Sequence, residues 1–425
     1  MTLVLIRNGY VIDPSQGMDG IADVMIKDGK IAKIEPNITD RVDRVIEAKG
    51  LTVMPGLIDM HVHLRDPGFT HKEDIYTGCN AAITGGITSV LCMPNTKPVI
   101  DSADTINYIH LNANRAKAKV YVCASITKGL SGTELCDFEQ YKSLDVKAVS
   151  DDGRPVESDE IMANAMSEAK KNNLTIISHC EDLQIVAGGI MHKGSMSEKL
   201  GVYGIDRLSE DNMTARELYI AMETNTAIHI AHVSTAMSTA LIREAKARGA
   251  DVTAETCPHY FAYTHEKLKS RDADYRMNPP LREQEDVDAI IEGIKDGTFD
   301  CIVTDHAPHS KSEKSDFLTA PNGVVGMETS LAASIKFLVE PKHITMYKLV
   351  ELMSTNPAKI LGLNAGSLKV GMPADITILD ENMDWTVLPE RLQSKSRNCA
   401  FKFEKLKGRV KYTFVDGEIV YVMRY

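Results

Sequence analysis

Eight apolar, β-rich runs recur along the middle of the chain, separated by Ala- and Glu-rich stretches of helical character. They are LIDMHVH (57–63), ITSVLCM (87–93), KVYVCAS (119–125), VKAVS (146–150), LTIISH (174–179), AIHIAHV (227–233), DVTAETC (251–257) and CIVTDH (301–306). Strand runs that alternate with helical segments build βα units around a parallel sheet. Eight such units close an α/β barrel of the (β/α)8 TIM type, and in that architecture the reactive side chains sit where strands end and loops begin.

The two chain ends have another texture. Residues 1 to about 50 read as short strands joined by Gly and Asp turns (LVLIRNGYVID, ADVMIKDGKIAKI, RVIEAKGLTV), and the style returns from about 366 in SLKVGMPADITILD and VKYTFVDGEIVYV. The shared texture predicts a small β-sandwich domain built from both ends, residues 1–54 and 366–425, around a catalytic barrel over 55–365. A chain of 425 residues has room for both.

Composition narrows the class of partner. There are 48 Lys and Arg against 59 Asp and Glu, a net charge of −11, which leaves no basic footprint for nucleic acid. A small-molecule partner is expected. The eight cysteines (79, 92, 123, 136, 180, 257, 301, 399) lie mostly in apolar runs without paired spacing and read as reduced core residues. The first residues lack the pattern of a secretory signal, and no run reaches the roughly 18 apolar residues of a membrane helix. A cytoplasmic enzyme is the expectation.

Chemistry concentrates at the strand ends. His61 and His63 are two apart in the first run, so both imidazoles project from one face as a chelating pair. His179 ends the fifth run, His232 the sixth and Asp305 the eighth. Imidazole nitrogen and carboxylate oxygen are zinc's ligand set, and an open position on the ion lets water ionise near neutral pH. Histidines packed in an apolar core would not all fall at one rim. Two ions need a shared anionic ligand, and the fourth run ends in Ser150-Asp151-Asp152-Gly153. Lys147 on the same run is the rival, as a carboxylated lysine. The dipeptide favours aspartate, whose short side chain on a glycine-containing loop can bend inward, and one of the pair is expected in an Asx turn.

The motifs PGLIDMHVHLRDPG (55–68), MPNT (93–96), SDDG (150–153), SHCED (178–182), MNPPLR (277–282) and TDHAPH (304–309) stand in order along the chain. Together they resemble the amidohydrolase superfamily over essentially its whole length, in the shorter bacterial type that uses aspartate as the bridge. The resemblance implies two Zn2+ per subunit. His61, His63 and Asp305 resemble the ligands of one ion, His179 and His232 those of the other, and Asp152 the bridge. Asp305 also resembles the catalytic acid/base. Arg65, Asn95, Asn278 and His309 resemble the substrate-binding residues, joined by His63 and by the backbone of Asn322 and Gly323.

The residues support those roles independently. Arg65 lies two past His63 and offers a planar fork to a carboxylate. Pro94 stops strand pairing and releases Asn95 toward the mouth, and Pro279 holds Asn278 extended. The stretch 310–326 is polar and then Gly-rich, as expected of a lid. Relatives often carry Pro-Phe-Gly where this chain has Pro321-Asn322-Gly323. Of the other histidines (71, 110, 192, 229, 259, 265, 306, 343), His259 and His306 are candidates to support the ligands, and the rest read as core or surface.

The reaction implied by the resemblance is reversible interconversion of L-dihydroorotate with N-carbamoyl-L-aspartate in pyrimidine biosynthesis. An activated hydroxide attacks the cyclic amide and Asp305 carries the proton to the leaving nitrogen. Two rivals share the scaffold. One is an allantoinase or hydantoinase acting on neutral rings, against which Arg65 and Asn95 argue. The other is a silent scaffold for aspartate transcarbamoylase, against which the four retained histidines argue. Assembly as a homodimer, and association with aspartate transcarbamoylase alongside activity, are further expectations from the resemblance.

Overall fold

A computed structural model describes residues 3–424. All eight runs form strands: β1 (Leu57–Val62), β2 (Ile87–Cys92), β3 (Lys119–Ala124), β4 (Ala148–Val149), β5 (Thr175–Ser178), β6 (Ile228–Ile230), β7 (Val252–Thr256) and β8 (Cys301–Ile302). They pair in chain order, each parallel to the next. A parallel bridge from Val62 to His306, with His63 N donating to His306 O at 2.8 Å, joins the exit of β8 back to β1 and closes the barrel.

Parallel strands are covered on both faces, which is why these runs are apolar throughout rather than alternating. Neighbouring residues of one strand accordingly enter different cores. Val90, Val122, Val149, Ile176 and Ile302 pack with helix residues such as Ile75, Ile109 and Ala165. Leu91, Cys123, Ala148, Ile177 and Cys301 pack in a second cluster. Asp59 is a buried carboxylate within this apolar wall. Thr304 satisfies it through backbone N (3.1 Å) and Oγ1 (2.5 Å), so it straps β1 to the exit of β8, and burial pushes its pKa up to about 7.

The chain ends meet in one eight-stranded sheet. Its N-terminal members are Leu3–Asp13, Met18–Lys27, Lys30–Glu35, Arg44–Glu47 and Thr52–Pro55, and its C-terminal members are Ile376–Thr386, Lys405–Val415 and Glu418–Val422. The seam is antiparallel, with Ile376 opposite Pro55 and Ile378 opposite Val53. Val4, Ile6, Val53, Ile376, Ile378 and Phe414 share one apolar cluster across it. Only Gly56 separates this sheet from β1. A Cβ there would lie 2.2 Å from Thr88 Oγ1, so the passage from sheet to barrel admits no side chain.

The eight cysteines are all buried and unpaired. Among the described residues no helix is long and apolar enough to cross a membrane.

Candidate active site

The barrel exits bring the expected ligands into one buried cluster. His61 and His63 from β1 stand with ring centroids 5.7 Å apart. His63 Nε2 is 3.1 Å from Asp305 Oδ1 and 3.6 Å from Asp152 Oδ2. His61 Nε2 faces Asp152 Oδ1 at 3.4 Å and Asp305 Oδ1 at 3.9 Å. His179 Nδ1 lies 2.8 Å from His232 Nε2, and both approach Asp152 Oδ1, at 3.4 and 3.7 Å. Asp152 is therefore central, reached by all four imidazoles. It is held from its far side by Asn95 Nδ2 at 3.1 Å, while Asn95 Oδ1 meets His63 Nδ1 at 2.8 Å.

Several of these residues sit on strained backbone. Arg65, His232 and Asp305 adopt φ of 60°, 31° and 45°, the left-handed region that costs an L-residue about 1–3 kcal/mol. The strain turns each side chain inward at the point where its strand ends. A second row then fixes the imidazoles. Glu255 on β7 is fully buried, with Oε1 2.6 Å from His61 Nδ1 and Oε2 3.1 Å from His229 Nε2. Glu181 Oε2 is 3.1 Å from His179 Nε2, and its Oε1 accepts from Asn278 Nδ2 at 2.9 Å. A carboxylate on the outer nitrogen orients a ligating histidine and raises its basicity. Sequence reasoning missed Glu255, His229 and Glu181 in this role. A glutamate two residues before the end of the DVTAETC run was the only available signal.

One rival falls away and one expectation changes. Lys147 does not reach the cluster: its Nζ donates to Asp145 Oδ1 at 2.5 Å and lines a cavity of about 610 Å³ where β5, β6 and β7 begin. None of the clustered histidines lines that cavity. Asp151 makes no Asx turn. Its carboxylate accepts from the backbone N of Ile126 (2.8 Å) and Thr127 (3.0 Å) and from Thr127 Oγ1, stapling the exit of β4 to that of β3.

The cluster opens into a cavity of about 240 Å³. Arg65, Asn95, Asn278, His309, Asn322 and Gly323 all line it beside His63, Asp152, His179, His232 and Asp305. Arg65 Nε donates to Pro308 O at 3.3 Å, which aims the fork. His309 Nε2 donates to Asn322 O at 2.9 Å and Nδ1 accepts from Lys72 Nζ at 3.2 Å, the pattern of a neutral imidazole. Burial, reinforced by Arg65 and Lys72, pushes its pKa down to about 2. Asn322 Oδ1 is buried without a hydrogen-bond partner. The 310–326 stretch is tied down by Lys314, whose buried Nζ donates to Arg276 O, Pro321 O and Gly323 O at 3.0–3.1 Å. Of the supporting candidates, His306 accepts at Nδ1 from Gly326 N (3.2 Å) and lies 3.4 Å from Glu73, while His259 is buried with a free Nε2.

The electrostatics of the cluster call for a cation. Burial opposes charge on His61, yet Glu255 and Asp152 raise it well above the ordinary histidine range; His179, despite burial, is raised by Asp152 and Glu181 to about 10. Burial also opposes ionisation of Asp152, but His179, His232 and His61 hold it well below the usual carboxylate range. His61 Nε2 is buried and makes no hydrogen bond. The donor atoms of His61, His63 and Asp305, and those of His61, Asp152 and His232, all lie within 4.8 Å of one another. Nitrogen and carboxylate donors at this spacing fit divalent metal binding, which competes with protons for the same lone pairs.

A barrel with histidine and aspartate donors at the exits of β1, β4, β5, β6 and β8 has the layout of a metal-dependent hydrolase. The model of the amidohydrolase family matches residues 52–420, and the chain belongs to that family. Within it, the dihydroorotase of Acetivibrio thermocellus is 46% identical over 422 residues, covering 98% of each chain. The dihydroorotase of Citrifermentans bemidjiense is 49% identical over 424 residues, covering 98% of this chain and 99% of its own. Among solved structures, the L-hydantoinase (dihydropyrimidinase) from Arthrobacter aurescens matches with a TM-score of 0.90 at 25% identity, over 100% of this chain and 98% of that one.

Proposed function

We propose that the chain catalyses the dihydroorotase reaction, the reversible hydrolysis of L-dihydroorotate to N-carbamoyl-L-aspartate. The observation that carries this reading is that a partly buried arginine and the histidine–aspartate cluster open into the same cavity of about 240 Å³. Arg65 gives a ring carboxylate a bidentate partner, and a guanidinium there would be idle against the neutral ring of a hydantoin.

Two zinc ions held by His61, His63, Asp152, His179, His232 and Asp305 would supply Lewis-acid polarisation of the ring carbonyl and a water that ionises near neutral pH. Asp152 would serve both ions, a role supported by the approach of all four imidazoles to its carboxylate. Arg65, with Asn95, grips the substrate carboxylate and fixes the ring, and His309 lines the cavity beside them. Asn278 and the Asn322–Gly323 backbone hold its polar edge, and Asn322 Oδ1 offers an acceptor to a ring N–H. Asp305 takes the proton of the attacking water as the new C–O bond forms, then delivers it to the ring nitrogen as the C–N bond breaks. In the reverse direction the protonated Asp305 supplies the proton that leaves with water.

The test is turnover of L-dihydroorotate by zinc-supplied protein. Asp305→Asn keeps the shape and removes the proton carrier, so kcat falls by about 10²–10⁴-fold. A variant that turns over at the parent rate would remove Asp305 from the mechanism.

A further inference from the structure

We infer that the chain carries another divalent-metal site outside the barrel mouth, formed by His192, His265 and Glu283. His192 lies on the short strand Met191–His192, His265 opens the turn His265–Ser270, and Glu283 immediately precedes the helix Gln284–Asp296. From sequence, the two histidines read as ordinary core or surface residues.

The packing makes that reading incomplete. His192 Nε2 and His265 Nδ1 are buried and have no hydrogen-bond partner, and a buried polar nitrogen left unpaired costs about 1–3 kcal/mol. The two side chains are 1% and 6% exposed, with ring centroids 5.5 Å apart. Glu283 Oε2 stands 3.7 Å from His192 Nε2, and one donor atom from each of the three residues falls within a 4.8 Å span. Gly194 keeps the space between them clear: a Cβ there would lie 3.2 Å from Glu283 Oε1 and 3.5 Å from His192 Nε2. Two imidazoles and one carboxylate are a zinc set with room for a fourth ligand. Glu283 is 38% exposed, which gives an ion its entry and a water its place.

Two arginines stand nearby, each already matched by carboxylate. Arg282 bonds Glu210 at 3.2 Å and Ser234 Oγ at 3.0 Å, while Arg207 bonds Glu283 Oε2 at 2.8 Å and lies 3.4 Å from Asp286. Glu283 Oε1 remains available. A cation on Nε2 places the remaining proton on Nδ1. The 3.4 Å contact from Arg282 Nη1 to Nδ1 then opens, and Arg282 keeps its two shorter bonds.

The site would work as a brace. It ties the 191–192 strand and the 265 turn to residue 283, and His265 N already donates to Arg282 O at 2.8 Å. Residues 277–282 lead from this point to Asn278 in the cavity. An ion here therefore stabilises the wall of the substrate site without touching the reacting atoms.

The experiment is equilibrium dialysis of full-length protein against one fixed free-zinc concentration, with zinc counted per chain for the parent, His192→Gln and Glu283→Gln. The parent should hold one more ion per chain than either variant, and its zinc-dependent rise in Tm should shrink in both. Because the result is a difference between chains, it does not depend on how many ions the barrel mouth holds. Should His192→Gln fold poorly, the half-exposed Glu283→Gln decides. Equal zinc counts in the parent and Glu283→Gln would overturn the site.

Discussion

Replacing Arg65 by Met separates recognition of a carboxylate-bearing ring from the chemistry of opening it. The guanidinium lies partly buried in the cavity wall, and among the described residues its side-chain hydrogen-bond contacts are Pro308 O at 3.3 Å and His309 at 3.4 Å, which leaves outer N–H groups to the ligand. Hydrogen bonds to a charged partner are worth about 1.5–3 kcal/mol, and 1.4 kcal/mol is tenfold in an equilibrium constant. The variant should lose roughly 10–150-fold in kcat/KM for dihydroorotate, chiefly through KM, since Arg65 lies beside the cluster rather than in it. Methionine has a comparable stem, so folding should suffer only by the unpaired Pro308 carbonyl, about 1–3 kcal/mol. Steady-state kinetics in both directions, with zinc counted on the same samples, provide the assay. Unchanged kcat/KM, or loss traceable entirely to missing zinc, would refute the assignment.

Other predictions test the frame around the site. Lys147→Ala should leave zinc content and turnover at parent levels, because its ammonium pairs with Asp145 at the other end of the barrel; Asp152→Ala should lose both, and the opposite ranking would make the lysine the bridge. His259 is buried, and burial pushes its pKa down to about 4, whereas the unfolded chain has an ordinary histidine near 6.5. The unfolded state therefore binds the extra proton as pH falls from about 6.5 toward 4, so stability is present above that window and declines through it, by up to about 1.4 kcal/mol per pH unit. His259→Gln should flatten the denaturation midpoint against pH by about one proton, and an unaltered slope would contradict this.

How much of this was legible from sequence follows from what each contact depends on. The barrel was readable because parallel strands are apolar on both faces, even where the strand itself is short: β4 and β8 are two residues each, yet VKAVS and CIVTDH carry the pattern. The clustering of the candidate ligands was readable because strand exits fix which residues share the mouth. Contacts made through long loop closures were not. Glu255 reaches His61 across 194 residues and Lys72 reaches His309 across 237, and nothing local marks either. Asp151 and Asp152 show the limit most clearly. Adjacent and identical, they part because one turns to the backbone of β3's exit and the other to the imidazoles, a choice set by neighbouring strands. The resemblance to the family suggested Asp152, but local chemistry alone gave either.

The most direct test of the central claim is a side-by-side turnover measurement on purified, zinc-supplied protein with L-dihydroorotate, hydantoin and allantoin at equal concentration. Release of N-carbamoyl-L-aspartate from dihydroorotate, with little or no opening of the neutral rings, is the result this account predicts. Opening of the neutral rings with dihydroorotate left intact would contradict it, and would show that Arg65 serves some purpose other than gripping a carboxylate.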